Sequence, residues 1–161
     1  MADLITHACV AVLFKAITGG GRVRTFVAGT LLPDVLARVP AMGLGLVHRH
    51  VEGLPDIVRS MWMPLHLPVG MIPAAYVLSL LFEEAERPAV FRALLGGMML
   101  HLAVDLLQRH YTPGYRIFFP LWPQGIELGL IGSEDTIWAA PFLVVLAALA
   151  WWWRSRRAAA L

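Results

Sequence analysis

Charge and cysteine are both scarce in this chain. Of its 161 residues only 15% are charged, 58% are hydrophobic, and the mean hydropathy is +0.67. Soluble domains average roughly 45–50% apolar residues. Thirteen basic and eleven acidic side chains, in small clusters, do not supply the charged shell of a water-soluble domain of this length. Lipid is therefore expected to cover much of the surface. Cys9 is the one cysteine, which leaves no intrachain disulfide and no cysteine-based zinc site. The net charge is only +2, and the basic residues, all arginine except Lys15, are scattered rather than gathered on one face. No nucleic-acid partner is expected. The low net charge and the six tryptophans also argue against a disordered segment.

What is present is a series of apolar runs. Crossing a bilayer takes about 20 apolar residues at 1.5 Å each. Residues 61–82 and 136–153 meet that length without a formal charge. The second follows Ser133, Glu134 and Asp135, an N-cap and acidic first turn, and closes on Trp151, Trp152 and Trp153 before Arg154, Arg156 and Arg157. A third span, 88–108, opens at Pro88 and carries Arg92 near one end and His101 and Asp105 toward the other. Two earlier runs, Leu4 to Thr18 and Thr25 to Val39, are each apolar for about fifteen residues, are separated by Gly19, Gly20 and Gly21, and are interrupted by Lys15 and by Pro33-Asp34. They read as short or tilted helices packed against the others. A signal peptide fits poorly, because Asp3 precedes the first run and Lys15 lies within it.

The expected fold is all-α: a polytopic membrane bundle of about five helices, with three clear transmembrane spans plus two shorter N-terminal helices. It forms one domain over residues 1–157 with a short Ala-rich tail at 158–161. With the C-terminal arginines in the cytoplasm, eight basic residues fall inside and five (Arg38, Arg49, Arg59, Arg109, Arg116) outside, the direction of the positive-inside bias. The Gly96-Gly97 step suits helix contacts within or between chains, and the oligomeric state is left open.

In that arrangement histidines and aspartates of the apolar segments gather at one side: His7, Asp34, His66, His101 and Asp105. His101 and Asp105 are four apart and share a helix face. An Asp at a membrane helix centre costs about 2.5–3.5 kcal/mol even on lenient scales, so Asp105 should face the bundle interior and a partner. Two readings of this pair stand: a hydrogen-bonded pair that fixes helix packing, or a metal site. Taken singly, His7 and Asp34 read as helix-end groups and His66 as an interfacial histidine. His48, His50, Glu52 and Asp56 read as solvated loop residues, with His110 and Glu127 weaker still. Together the three histidines and two carboxylates form a nitrogen/oxygen set suited to zinc or a similar divalent ion. A proton relay would use the same residues.

The order His7, then Leu32-Pro33-Asp34, then His66, then Gly97-x-x-x-His101-x-x-x-Asp105, then Phe118-Phe119-Pro120-Leu121-Trp122 resembles the YdjM-like family of bacterial membrane-bound metal-dependent hydrolases. The resemblance covers about residues 1–125. The ligand order is also remotely similar to that of zinc-dependent phospholipase C and the fungal single-strand nucleases. The resemblance implies that Asp34, His66, His101 and Asp105 surround one metal ion, most simply Zn2+, with His7 and a shared Asp105 holding a second. It also implies a bacterial inner-membrane, multi-pass protein, and the orientation given by the basic residues turns the site outward. Three features depart from the pattern. Leu36 stands where the family has a second Asp, His48-Arg49 is far from His66, and no downstream His-x-x-x-Glu is present.

The implied chemistry is hydrolysis of a phosphate ester, in a phospholipid or other lipid-linked substrate, by metal-activated water. Asp34 or Asp105 would act as general base, and Arg109, or else Arg116, would clamp the anion. Tyr111 to Trp122 reads as an interfacial loop at headgroup level, or as a simple membrane anchor. The competing expectation is a non-enzymatic membrane protein, an ion or proton pathway or a structural subunit, whose His/Asp cluster serves packing or proton relay.

Overall fold

The computed structural model describes residues 4–48, 62–109, 114–132 and 135–159. Among these residues there are five α-helices: α1 (Leu4–Thr18), α2 (Val23–His48), α3 (Pro68–Ser79), α4 (Arg87–Leu106) and α5 (Asp135–Ala159). A 3-10 turn, Met63–His66, precedes α3. Two-residue strands β1 (Gln108–Arg109) and β2 (Ile131–Gly132) pair in parallel, with Gln108 opposite Ile131. Among the described residues these strands and a single antiparallel bridge between Tyr115 and Ile126 depart from an all-helical fold.

Among the described residues two helices, α4 and α5, are long and apolar enough to cross a membrane. The expected third span over residues 61–82 is not a single helix. Pro68 has no N–H and forces the preceding residue out of the helical region; Leu67 is accordingly extended, at φ −118° and ψ 155°. The segment therefore splits into the 3-10 turn and α3, whose 12 residues reach about 18 Å against a hydrocarbon core of about 30 Å. The second segment errs the other way. It runs for 26 residues through both Pro33 and Pro40 instead of stopping near Val39.

The helices alternate in direction. The starts of α2 and α4 meet where the Arg22 guanidinium donates to Glu86 Oε1 at 2.7 Å. The ends of α1 and α5 meet where Arg154 Nη1 donates to the Lys15 carbonyl at 2.8 Å and to the Ala16 carbonyl at 3.5 Å, the latter among the acceptors that the last turn of a helix leaves open. At the opposite end, the backbone N–H groups of Leu128 and Leu130 donate to the carbonyls of Leu106 and Leu107 at 2.7 and 2.8 Å. That contact caps α4 with the loop that leads into α5.

The buried face of α4 follows helical spacing: Val90, Leu94, Met98 and Leu102 pack with Met71 and Ala75 of α3 and with Leu67, the residue before it. His101 and Asp105 continue the same stripe. Against α2 the approach is closer. A Cβ on Gly97 would overlap the Phe26 carbonyl oxygen and come within 2.7 Å of the Thr30 nitrogen, and one on Gly29 would overlap the Leu94 carbonyl oxygen. The two helices cross backbone to backbone, a contact that only small residues permit. Gly97→Ala should therefore destabilise the protein by about 1–3 kcal/mol through overpacking. Gly96→Ala, whose added methyl would meet only the edge of the Phe26 ring at 3.2 Å, should cost less. Thermal melts of the purified chain in detergent compare the two, and equal losses would count against the close crossing.

Candidate metal centre

Four separate elements bring the five predicted groups together. His7 comes from the first turns of α1, Asp34 from the middle of α2, His66 from the 3-10 turn, and His101 and Asp105 from the last turns of α4. All five are buried, at 0–2% exposure. His101 Nε2 lies 3.0 Å from His66 Nε2, 3.3 Å from Asp105 Oδ2 and 3.9 Å from Asp34 Oδ1. His66 Nε2 lies 3.3 Å from Asp34 Oδ1 and 3.6 Å from Asp105 Oδ2. His7 Nε2 approaches the other carboxylate oxygen, Asp105 Oδ1, at 3.3 Å, and its ring stacks on that of His101 with centroids 3.9 Å apart.

The local sequence explains why the groups arrive there. Pro33 removes the N–H that would bond the Gly29 carbonyl one turn back, which loosens α2 at this point. The next carbonyl, that of Thr30, accepts the Nδ1–H of His101 at 2.8 Å. With Nδ1 donating, Nε2 carries the free lone pair and points into the cluster. A metal-ligating histidine is typically oriented this way. The Gly29–Gly97 crossing is what brings Thr30 within reach. Asp105 is held in turn by the Tyr115 hydroxyl, which donates to Oδ2 at 2.5 Å, a short charge-assisted bond. Tyr115 is positioned by paired backbone hydrogen bonds with Ile126, at 3.0 and 2.9 Å.

The residues fit a divalent cation on two grounds. Two carboxylates are buried with three imidazoles and no lysine or arginine in the set; an ion of charge +2 would neutralise them where water cannot. The donor spacing also matches. A four-coordinate ion with bonds of about 2.0–2.1 Å has ligand-to-ligand edges of about 3.3 Å, and the nitrogen and oxygen pairs above are 3.0–3.9 Å apart. Two buried groups, His7/His101/Asp105 and Asp34/His66/His101, are placed to hold an ion. His101 cannot serve both, because its Nδ1 is committed to Thr30. A second ion would therefore rely on His7 and on Asp105 Oδ1, with the Asp105 carboxylate as the bridge.

Several sequence expectations are corrected. Asp34 is not near a helix end but is the twelfth residue of a 26-residue helix. Arg109, expected to clamp the anion, is not on the helix that carries Asp105: α4 ends at Leu106, and Arg109 is exposed on β1. Tyr115 lay within a stretch read as interfacial, yet it is 7% exposed and reaches inward to Asp105. The sequence carried no signal for this role or for the Thr30 carbonyl. Glu127 is exposed. His50, Glu52, Asp56 and His110 lie outside the described residues, as do Ser133 and Glu134 and the side chain of His48.

Comparison of the chain with protein-family models, with curated proteins and with solved structures gave no match.

Tyr115→Phe should keep the fold while lowering the affinity for Zn2+ about 10–100-fold, the usual effect of losing a partner that orients a ligand. Asp105→Asn should abolish binding. Competition titrations against a chromophoric chelator read both, and unchanged affinity in Tyr115→Phe would remove Tyr115 from the centre.

Proposed function

We propose that the chain is an integral-membrane, metal-dependent hydrolase that cleaves a phosphate ester in a phospholipid or other lipid-linked substrate. The observation that carries this reading is the convergence of Asp34, His66, His101, Asp105 and His7 in one buried cluster. It is the set, in the same chain order, on which the resemblance to the YdjM-like hydrolases rests. Zn2+ is the expected ion, one held by Asp34, His66, His101 and Asp105, with His7 and the bridging Asp105 as the start of a second site. A bound divalent ion of this kind supplies Lewis acidity, lowering the pKa of water toward ~7 and polarising a phosphoryl oxygen.

The chain's own residues supply orientation and proton handling. Asp34, through the carboxylate oxygen that does not hold the ion, would be the general base, accepting a proton from the attacking water. Thr30 and Tyr115 hold His101 and Asp105 in fixed rotamers, so the donor set does not reorganise as charge develops. Arg109, exposed on β1, would clamp the substrate anion from the solvent side. Support for a lipid substrate comes from the loop that carries Tyr115. It also presents Phe118, Leu121 and Trp122 at 59, 90 and 55% exposure, apolar groups suited to headgroup depth. The C-terminal arginines are assigned to the cytoplasmic side of a bacterial inner membrane and the cluster to the outer side.

Elemental analysis and turnover test this reading together. The purified chain should carry near-stoichiometric transition metal, and should lose it with His101→Ala or Asp105→Asn. Chelation should stop hydrolysis of a chromogenic phosphodiester and of phospholipid vesicles. Asp34→Asn should slow turnover by about 10²–10⁴-fold, the range for losing a general base. Metal-free, fully folded protein would assign the cluster to helix packing instead, and full turnover in both the His101 and Asp105 variants would remove the catalytic assignment.

A further inference from the structure

A second feature lies apart from the His/Asp cluster and shares no residue with it. Helices α1, α2 and α5 enclose an open cavity of about 700 Å³, within the range of roughly 300–1,000 Å³ typical of ligand sites. Its wall is almost wholly apolar, built from Cys9, Val27, Leu31, Val144 and Ala148 among others, with Trp151 and the apolar part of Arg24 completing it at one end. Arg24 lies in the first turn of α2, is exposed, and makes no ion pair or hydrogen bond among the described residues. Its neighbours differ: Arg22 pairs with Glu86 and Arg154 caps α1. Along α2 the groove extends from Arg24 to Leu31, about 10 Å at the helical rise.

We propose that this groove binds one anionic phospholipid, with an acyl chain along the α1–α2–α5 cleft and the phosphate on Arg24. In a bilayer an apolar groove does not stay empty, since its lining atoms would forfeit their dispersion contacts. Hydrocarbon tails are much alike, however, so the cleft alone does not choose among lipids. The charge at its end does: an unpaired guanidinium at the edge of hydrocarbon favours an anionic headgroup. Trp151, in the last turns of α5, lies where an indole suits the interface. The proposal rests on the membrane placement and is independent of the hydrolytic reading.

The test uses the full chain in nanodiscs of phosphatidylcholine containing a minor fraction of phosphatidylglycerol, followed by a detergent wash and quantification of the lipid retained per chain. The wild type should keep about one phosphatidylglycerol, enriched over phosphatidylcholine by about fivefold, the effect of one basic residue at the membrane surface. Arg24→Gln should lose the enrichment and Arg24→Lys keep part of it. Ala148→Trp, which fills the exposed cleft, should retain neither lipid, and Arg87→Gln should behave as wild type. Thermal melts confirm that each variant is folded. Equal retention of the two lipids by the wild type, or undiminished enrichment in Arg24→Gln, overturns the proposal, as does a dimer that Ala148→Trp dissociates in the absence of lipid. Carbonate extraction of cell membranes, read first, separates the two layers of inference: a chain released by carbonate removes the membrane placement and the lipid site with it, whereas a chain that stays and shows no enrichment removes only the lipid site.

Discussion

The burial of two carboxylates in an otherwise apolar helical bundle is the constraint around which this molecule is organised. Asp34 and Asp105 are 2% and 0% exposed, and a charge so placed is tolerated only when it is paired and hydrogen-bonded. Three imidazoles from three different elements answer that demand, with a tyrosine hydroxyl added from a loop. Each partner imposes its own requirement on the fold. His101 needs the Thr30 carbonyl, which requires α2 and α4 to touch at Gly29 and Gly97. His66 needs the break at Leu67, and Tyr115 needs its ladder with Ile126.

The bundle is polar in the sense that its two ends differ. One end gathers Lys15, Arg22, Arg24, Glu86, Arg87 and the C-terminal arginines; the other holds the His/Asp cluster and the small sheet that caps α4. Alternating helix direction produces this separation, because each connection returns the chain to one end or the other. Ion pairs at the basic end are partly exposed, and such pairs add little stability. The tight helix crossing and the apolar stripe of α4 contribute more. The proposed lipid groove, along α2 from Arg24 to Leu31, and the proposed catalytic cluster at Asp34 therefore lie at successive levels of the helix, with separate chemistry.

Helix content and the polar face of α4 were legible because both are periodic. The i, i+4 spacing of His101 and Asp105 lies on the stripe begun by Val90 and Leu94, and the structure keeps it. Segment ends were less legible. The uncharged run over residues 61–82 satisfies a hydropathy criterion, but two prolines four residues apart, Pro64 and Pro68, outweigh composition locally. Conversely, Pro33 and Pro40 did not end α2, since packing on α4 retains a helix that has lost single hydrogen bonds. Tyr115 had no periodic or spacing signal, because its role arises from backbone hydrogen bonds in an irregular loop.

By itself, the sequence determined that the chain is apolar and helical, and that the histidines and aspartates of its apolar segments include His7, Asp34, His66, His101 and Asp105. Hydropathy, helical period and residue chemistry are local properties, written along one segment at a time. Which donor atoms meet, and which nitrogen of His101 faces them, was decided by the tertiary structure alone. Ligand spacing of 3.0–3.9 Å between different helices depends on how closely their backbones approach, and that distance is set by packing and loop hydrogen bonds between residues remote in the chain.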